Sequence, residues 1–374
     1  MRAFIALLSA AAAAAGFAVP FHMIDNRAFV DTYVNGKGPY AFVVDTGSVS
    51  LITPEVAAAA GVASVDAGLS GGVGEKREPV RHAVLDRLAF GDVSLTHFGV
   101  SVASLREIRD AIGFTRFDGI IGSDVLKRYR TRIDGIGANV VQLSDAAPEG
   151  TALPFRVVDN EIVVAGSVNG IAGDFIVDTG DRSTLTLFGP FVETHGLGNA
   201  KGVIAVTGWG IGGPVRARVT RADFAAGPLV GRNVVIRQSL QRAGAFTDPR
   251  FAGSIGNGLL KNFALTFDYD ARRIYVAPSA ATAQPDAYDR SGMWLRRVSA
   301  GLEVADTVSG GPADDAGLRT ADVLVAVDGA PAAAVDLIAL RARLAATTVK
   351  TVRVRFSRAG AGEREAVLVL RALV

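Results

Sequence analysis

Cysteine is absent from all 374 residues. That excludes a disulfide framework, thiolate zinc sites and a cysteine nucleophile. It also excludes lipid attachment through an N-terminal cysteine. Histidine is scarce: His22, His82, His97 and His195 lie scattered along the chain, a poor basis for a histidine-based metal site. No metal and no cofactor is expected. An excess of one charge is missing as well. The formal net charge is +2, so neither nucleic acid nor an anionic membrane surface is an expected partner. Beyond the N-terminus the apolar runs are short and broken by glycine, proline or charge, so no membrane-spanning helix is expected there.

The N-terminus reads MRAFIALLSAAAAAAGFAVPF. One arginine precedes an apolar run that ends in small residues. This is the pattern of a secretory signal peptide over residues 1–19, with cleavage near Ala18. The mature protein is then expected outside the cytoplasm, secreted or periplasmic. The alternative is an uncleaved membrane anchor.

What remains favours a β-rich chain of two or three domains. Hydrophobic residues make up 49 %, enough for sizeable cores, and 43 glycines favour turns over helical bundles. Linker signals, SDAAPEG at 144–150 and APSAATAQPDAYDRSG at 277–292, divide the chain into blocks of about 20–147, 150–280 and 288–374.

The first two blocks are repeats of one plan. Each carries a Val-Asn-Gly hairpin signal, at Val34-Asn35-Gly36 and Val168-Asn169-Gly170. Each continues into an apolar strand, Ala41 to Val44 or Phe175 to Val177, whose unbroken apolar character predicts burial on both faces. Asp45-Thr46-Gly47 and Asp178-Thr179-Gly180 follow, 133 residues apart. A short helix comes next. In the first block Thr53 is the predicted cap, Pro54 the first helical residue and Gly61 the stop; in the second Pro190 opens and Gly196 closes it. Glycine-rich hairpin candidates come after these, with Gly71, Gly72 and Gly74 in one and Gly208, Gly210 and Gly212 in the other. Each block then carries an apolar-glycine phrase, GIIGSDVLKRY at 119–129 and GSIGNGLLKNF at 253–263. Gly122 stands 77 residues after Asp45, and Gly256 stands 78 after Asp178.

Two such halves packed face to face would bring Asp45 and Asp178 together. Two close carboxyls cannot both ionise freely, so the pair shares one proton. The ionised member can take a proton from a water held between them, and the protonated member can donate to a carbonyl oxygen or a leaving nitrogen. That hydrolyses an amide without a metal, serine or cysteine. Gly47 and Gly180 permit the sharp turn and bring N–H groups to the carboxylates. Thr46 and Thr179 offer hydroxyls that could bond across to the opposite half. The hairpins could close over an extended peptide.

On these motifs the first two blocks resemble the lobes of a single-chain aspartic protease, retropepsin-like or pepsin-like. The resemblance implies two pseudo-symmetric β-barrel lobes in a mainly β chain. It implies Asp45 and Asp178 as the catalytic pair of an endopeptidase and Thr46 and Thr179 as an inter-lobe grip. It places Ile120-Ile121-Gly122 and Ile255-Gly256 behind the active loops. Gly71, Gly72, Gly208, Trp209 and Gly210 become flap candidates. Ser48 is placed to bond the outer oxygen of Asp45. Asp181 is expected to face solvent beside Arg182. Peptides or unfolded proteins are the implied substrates, and a monomer is expected. The alternative is a peptide-binding protein that keeps the fold without cutting.

The phrase GGPADDAGLRTADVLVAVDG at 310–329 resembles an α+β PDZ domain of bacterial protease type, covering 288–374. The predicted elements are a strand from Leu302 to Val308, a short helix after Pro312, a strand from Val323 to Val327 and a helix over Asp336 to Ala345. The resemblance implies a peptide C-terminus as ligand, added between the first strand and the second helix. Its carboxylate would be held by the backbone of Ser299, Ala300, Gly301 and Leu302. Only Gly301 survives of the usual loop wording, and Ala321 stands where the family has glycine. The block serving only as structure is the alternative.

Overall fold

The computed structural model describes residues 17–134, 140–143, 147–279 and 287–374. Most of the predicted signal peptide, 1–16, lies outside the described residues, as do 144–146 and 280–286 of the two linkers. Phe17–Ile24 forms a strand. Among the described residues no helix is long and apolar enough to cross a membrane.

The fold is mainly β, built on three sheets of 13, 8 and 6 strands. The repeated turn signals act as read. Asn35 and Gly36, at φ 49° and 76°, join strands Arg27–Val34 and Lys37–Val44. Asn169 and Gly170, at φ 47° and 81°, join Glu161–Val168 and Ile171–Asp178. Left-handed backbone at both central residues is the demand of a two-residue hairpin, and Asn-Gly meets it at low cost. The apolar strands do bury both faces. Phe42 and Val44 enter the main core, while Ala41 and Val43 enter a second cluster with Leu105, Ile108 and Phe117. Helix Pro54–Ala59 is capped by the Thr53 hydroxyl, which accepts from the Val56 amide at 3.4 Å. Helix Gly189–Thr194 ends two residues before Gly196, which stands at φ 63°.

The lobes are not the closed barrels the resemblance implied. Each sheet is an open path with two end strands: Thr151–Pro154 and Ser64–Ser70 in the 13-stranded sheet, Arg156–Val158 and Val203–Gly210 in the 8-stranded one. Both bend far enough for short side pairings, Thr32 to Val34 with Phe90 to Leu88 and Ser167–Val168 with Ala225–Phe224. Closure would need tilt and stagger to agree around a complete ring. Instead the larger sheet is extended by strands from the other half. Strand Phe263–Asp268 pairs with Thr131–Asp134, and strands Arg273–Pro278 and Thr151–Pro154 follow beyond it. The halves therefore share one sheet, and their cores merge: Phe42, Leu85, Phe175 and Val177 belong to one cluster.

The third sheet holds strands Met293–Val298, Gly301–Thr307, Val323–Val327 and two more long strands, with helix Leu337–Ala345 capped by Asp336. Its core is separate, with Leu302, Val304, Leu324, Leu337, Leu340 and Leu344. Strand Gly301–Thr307 has neighbours on both sides, Met293–Val298 and Val323–Val327. It has no free edge to receive a peptide, which corrects the groove placed beside it. The free edges are the end strands, Met293–Val298 and Gly362–Val369. Ser299 and Ala300 form only the exposed turn between Val298 and Gly301, with Gly301 and Leu302 already paired in the hairpin.

Candidate active site

Asp45 follows strand Lys37–Val44, and Asp178 ends strand Ile171–Asp178. Each strand lies parallel to its apolar-glycine partner, with Val44 opposite Ile121 and Asp178 opposite Gly256. The Asp45 amide donates to the Ile121 carbonyl at 3.0 Å. A rigid strand pair thus sets the start of each loop.

The loops interlock. The Thr46 amide donates to the Thr179 hydroxyl at 3.1 Å, and the Thr179 amide to the Thr46 hydroxyl at 3.1 Å. The hydroxyls pass their own protons on, Thr46 to the Val177 carbonyl at 2.8 Å and Thr179 to the Val44 carbonyl at 2.9 Å. Both threonines are fully buried, so each of these groups would be costly left unpaired. Glycine is required beside them. A Cβ on Gly47 would stand 2.7 Å from the Asp178 carboxyl carbon, and one on Gly180 would stand 2.3 Å from that of Asp45.

This brings the two carboxyls side by side, each packed against the glycine of the opposite loop and each with some surface open to the cleft. Asp45 accepts from the Gly47 amide at 2.9 Å; Asp178 accepts from the amides of Gly180 at 2.8 Å and Asp181 at 3.0 Å. Burial pushes both upward. Asp178 rises well above the usual carboxylate range, by burial first and then by the charges of Asp45, Asp181 and Glu161. Asp45 is raised by burial and held back by the Gly47 amide, the bond with Asp178 and the Arg27 guanidinium. Raised together, the two carboxyls hold a proton as a pair. Such a pair can accept from a water at one oxygen and donate at another.

The cleft over the carboxyls encloses about 200 Å³. Ile108 of helix Arg106–Ile112 and Leu105, the residue that caps it, form one wall, and Val73 and Trp209 hang from the roof. The roof is two hairpins that meet tip to tip. The first joins strands Ser64–Ser70 and Glu78–Phe90; the second joins Val203–Gly210 and Gly213–Ala226. The Gly74 amide donates to the Ile211 carbonyl at 2.9 Å, and the Lys76 amide to the Gly212 carbonyl at 3.0 Å. A Cβ on Gly74 would lie 2.1 Å from the Gly212 carbonyl carbon, so a side chain there would force the tips apart. Gly72, Gly208, Trp209 and Gly210 line the cleft, whereas Gly71 is exposed outside it. The Trp209 indole donates to Glu107 on the wall helix at 3.1 Å.

Two readings change. The Ser48 hydroxyl donates to the Val49 carbonyl at 3.2 Å, not to Asp45. Asp181 turns back onto Ser183, accepting from its amide at 2.8 Å and its hydroxyl at 2.6 Å, because Asp178 takes the Asp181 amide and rotates the loop inward.

Sequence reasoning passed over the turn that precedes the first hairpin of each repeat. Asp25-Asn26-Arg27 and Asp159-Asn160-Glu161 are equivalent left-handed turns. Arg27 reaches across the lobes: its Nε donates to the Gly180 carbonyl at 2.7 Å and its Nη1 to Asp25 at 2.7 Å. Asp25 also accepts from Arg182 at 2.8 Å. In the other turn one oxygen of Glu161 is buried without a partner, and burial with the Asp45 and Asp159 charges pushes its carboxyl up to about 8. The signal was present, since the turns align when the repeats are laid over each other. Among the described residues no group of three or more His, Asp or Glu is arranged to hold a metal ion.

Residues 30–125 match a family profile described as aspartyl protease. No curated protein matches the chain. The solved aspartic proteinase from Irpex lacteus is similar at a TM-score of 0.45 and 14% identity, over 72% of this chain and 100% of that one.

Proposed function

We propose that the protein is an aspartic endopeptidase acting through Asp45 and Asp178. The observation that carries the reading is the pair of carboxyls lining the floor of one cleft, each against the other's glycine and fixed by the crossed threonines. The match of residues 30–125 to the aspartyl protease family supports it.

In this reading a water sits between the carboxyls. Asp45, the ionised member, takes a proton from it as its oxygen attacks the peptide carbonyl carbon. Asp178 gives its proton to the carbonyl oxygen, leaving a neutral tetrahedral diol. Return of a proton to the amide nitrogen lets the C–N bond break and frees an amine and an acid. The loop amides hold the carboxylate charge in place, and the roof keeps bulk water away. The apolar wall and roof suit an extended peptide. The mature enzyme acts outside the cytoplasm, a reading supported by the N-terminal sequence. The C-terminal module is read as PDZ-like on its sequence phrase.

Cleavage of a diverse peptide library by wild type, with Asp45→Asn and Asp178→Asn as controls, tests the proposal. Wild-type cleavage lost in both variants supports it; a wild type that cleaves nothing from acid to neutral pH overturns it. The second reading, a protein that binds peptides without cutting, is favoured by the hydrogen-bonded tips that close the cleft. Peptide binding equal in wild type and both variants, with no products, would establish it.

A further inference from the structure

The C-terminal module does not stand clear of the lobes. Wall helix Arg106–Ile112 lies along strand Met293–Val298, the one of the sheet's two end strands that packs beside helix Leu337–Ala345. This is where an added peptide strand would have to run. The last carbonyls of a helix have no partner within it. Here Arg341 supplies one: its guanidinium donates to the Ile112 carbonyl at 2.6 Å and also to the Ala111 carbonyl. The same group donates to the Leu295 carbonyl at 2.7 Å, on the sheet's edge strand, and stacks 4.8 Å from the Trp294 ring. Gly113, which closes the wall helix at φ 80°, packs so tightly that an added Cβ would stand 2.6 Å from that of Leu337.

A second hold lies on the roof. The second hairpin carries a register shift between Val206 and Gly208. The Val206 amide donates at 2.7 Å to Asp306, on the module's strand Gly301–Thr307. The other oxygen of Asp306 pairs with Arg216 of the same hairpin at 2.9 Å. Asp306 is buried, and a buried carboxylate bonded on both oxygens is a strong anchor. Among the described residues the first hairpin has no hold on the module: its outer strand, Ser64–Ser70, is largely exposed, and its tip is held only from the second lobe, by the Ala245 amide on the Gly72 carbonyl at 2.9 Å, the Arg242 amide on Glu75 at 2.7 Å and the Gln241 side chain on the Val73 carbonyl at 3.3 Å, besides the tip-to-tip bonds.

We propose that the module is a positioning arm of the cleft, with Arg341 fixing the Leu105 and Ile108 wall, Asp306 fixing the Trp209 roof, and the end of the wall helix as the groove's resident ligand. The second hairpin is then the fixed half of the roof, and the first hairpin is the half that lifts to admit substrate. The proposal deepens the peptidase reading and rests on it for its kinetic arm only.

The chain has two tryptophans, Trp209 and Trp294. The Trp294 indole nitrogen is buried without a partner, so Trp294→Phe keeps the stacking ring and leaves Trp209 as the sole reporter. In that full-length background, Asp306→Ala and Arg341→Met are expected to shift Trp209 emission to longer wavelength and raise its quenching by iodide. Asp306→Asn, which keeps an acceptor for the Val206 amide, falls between. In peptide cleavage KM rises on the order of tenfold, the worth of one charge-assisted hydrogen bond, while kcat is kept because the threonines hold the carboxyls. Unchanged emission, quenching and KM in proteins with wild-type circular dichroism overturn the proposal. If both variants unfold, Arg216→Gln on the half-exposed side of the pair gives the same readout, and an unmoved Trp209 there overturns it equally. A wild type that cleaves no peptide removes the enzymatic reading and leaves the fluorescence result to decide this one.

Discussion

Arg27 and Glu161 occupy equivalent turns in the two halves of the chain and carry opposite charge. Arg27 crosses to the Gly180 loop and holds Asp45 down; Glu161 adds to the charges that hold Asp178 up. The duplicated scaffold gives two like carboxyls, both raised first by burial, and the unlike turns add charge of opposite sign to the two. That difference is what a general base and a general acid require of a pair.

Asp45→Asn and Asp178→Asn should each lower kcat by about a thousandfold or more, the scale on which groups acting as a unit fail together. Thermal midpoints should stay level or rise, because each change replaces a carboxyl whose ionisation burial disfavours with a neutral amide. Steady-state cleavage and a melting curve on the same samples check both halves of this expectation.

Peptide cleavage should follow a bell-shaped pH profile, since it needs Asp45 ionised and Asp178 protonated. The acid limb follows Asp45 and the alkaline limb follows Asp178. Arg27→Gln removes a cation that lowers Asp45, so its acid limb should move to higher pH. A limb that stayed in place, or moved toward lower pH, would show that Arg27 does not act on Asp45.

Glu161 has a folded-state pKa near 8, above its ordinary value of 4.5. A carboxyl raised by folding contributes most below its unfolded pKa, and that contribution is lost as pH rises toward the folded one. The stability of Glu161→Gln relative to wild type should therefore increase from about pH 4.5 to 8 and then level off, reaching roughly 2–5 °C in melting midpoint. Paired melts across that range measure it.

A disulfide between the hairpin tips should stop turnover. A Cβ on Gly72 would stand 2.8 Å from the Ile211 Cβ, somewhat closer than a relaxed bridge and within reach of a small loop shift. With no native cysteine to compete, the Gly72→Cys, Ile211→Cys protein should be inactive when oxidised and recover on reduction. Full activity in the oxidised form would mean that substrate enters without the tips parting.

Chelators should leave cleavage unchanged, because every proton in the proposed steps moves between water, substrate and the two carboxyls. Loss of activity in EDTA, restored by a divalent metal, would point to another chemistry.

Much of the site was legible in the residues. Asn-Gly pairs, unbroken apolar strands, the Thr53 cap and the spacing of Asp45, Asp178, Gly122 and Gly256 are signals between near neighbours or between repeats. The sequence determined by itself that there are two like halves, each ending a buried strand on a carboxylate and a glycine. Only the tertiary structure decided that the sheets stay open and that strands from both halves pair in one of them. It alone brought the hairpin tips together and seated the wall helix against Arg341. The physical reason is reach. Propensity, capping and turn chemistry are set within a few residues of chain. Pairing Thr131–Asp134 with Phe263–Asp268, or Arg341 with Ile112, depends on which edges and carbonyls remain unsatisfied once every local element has formed.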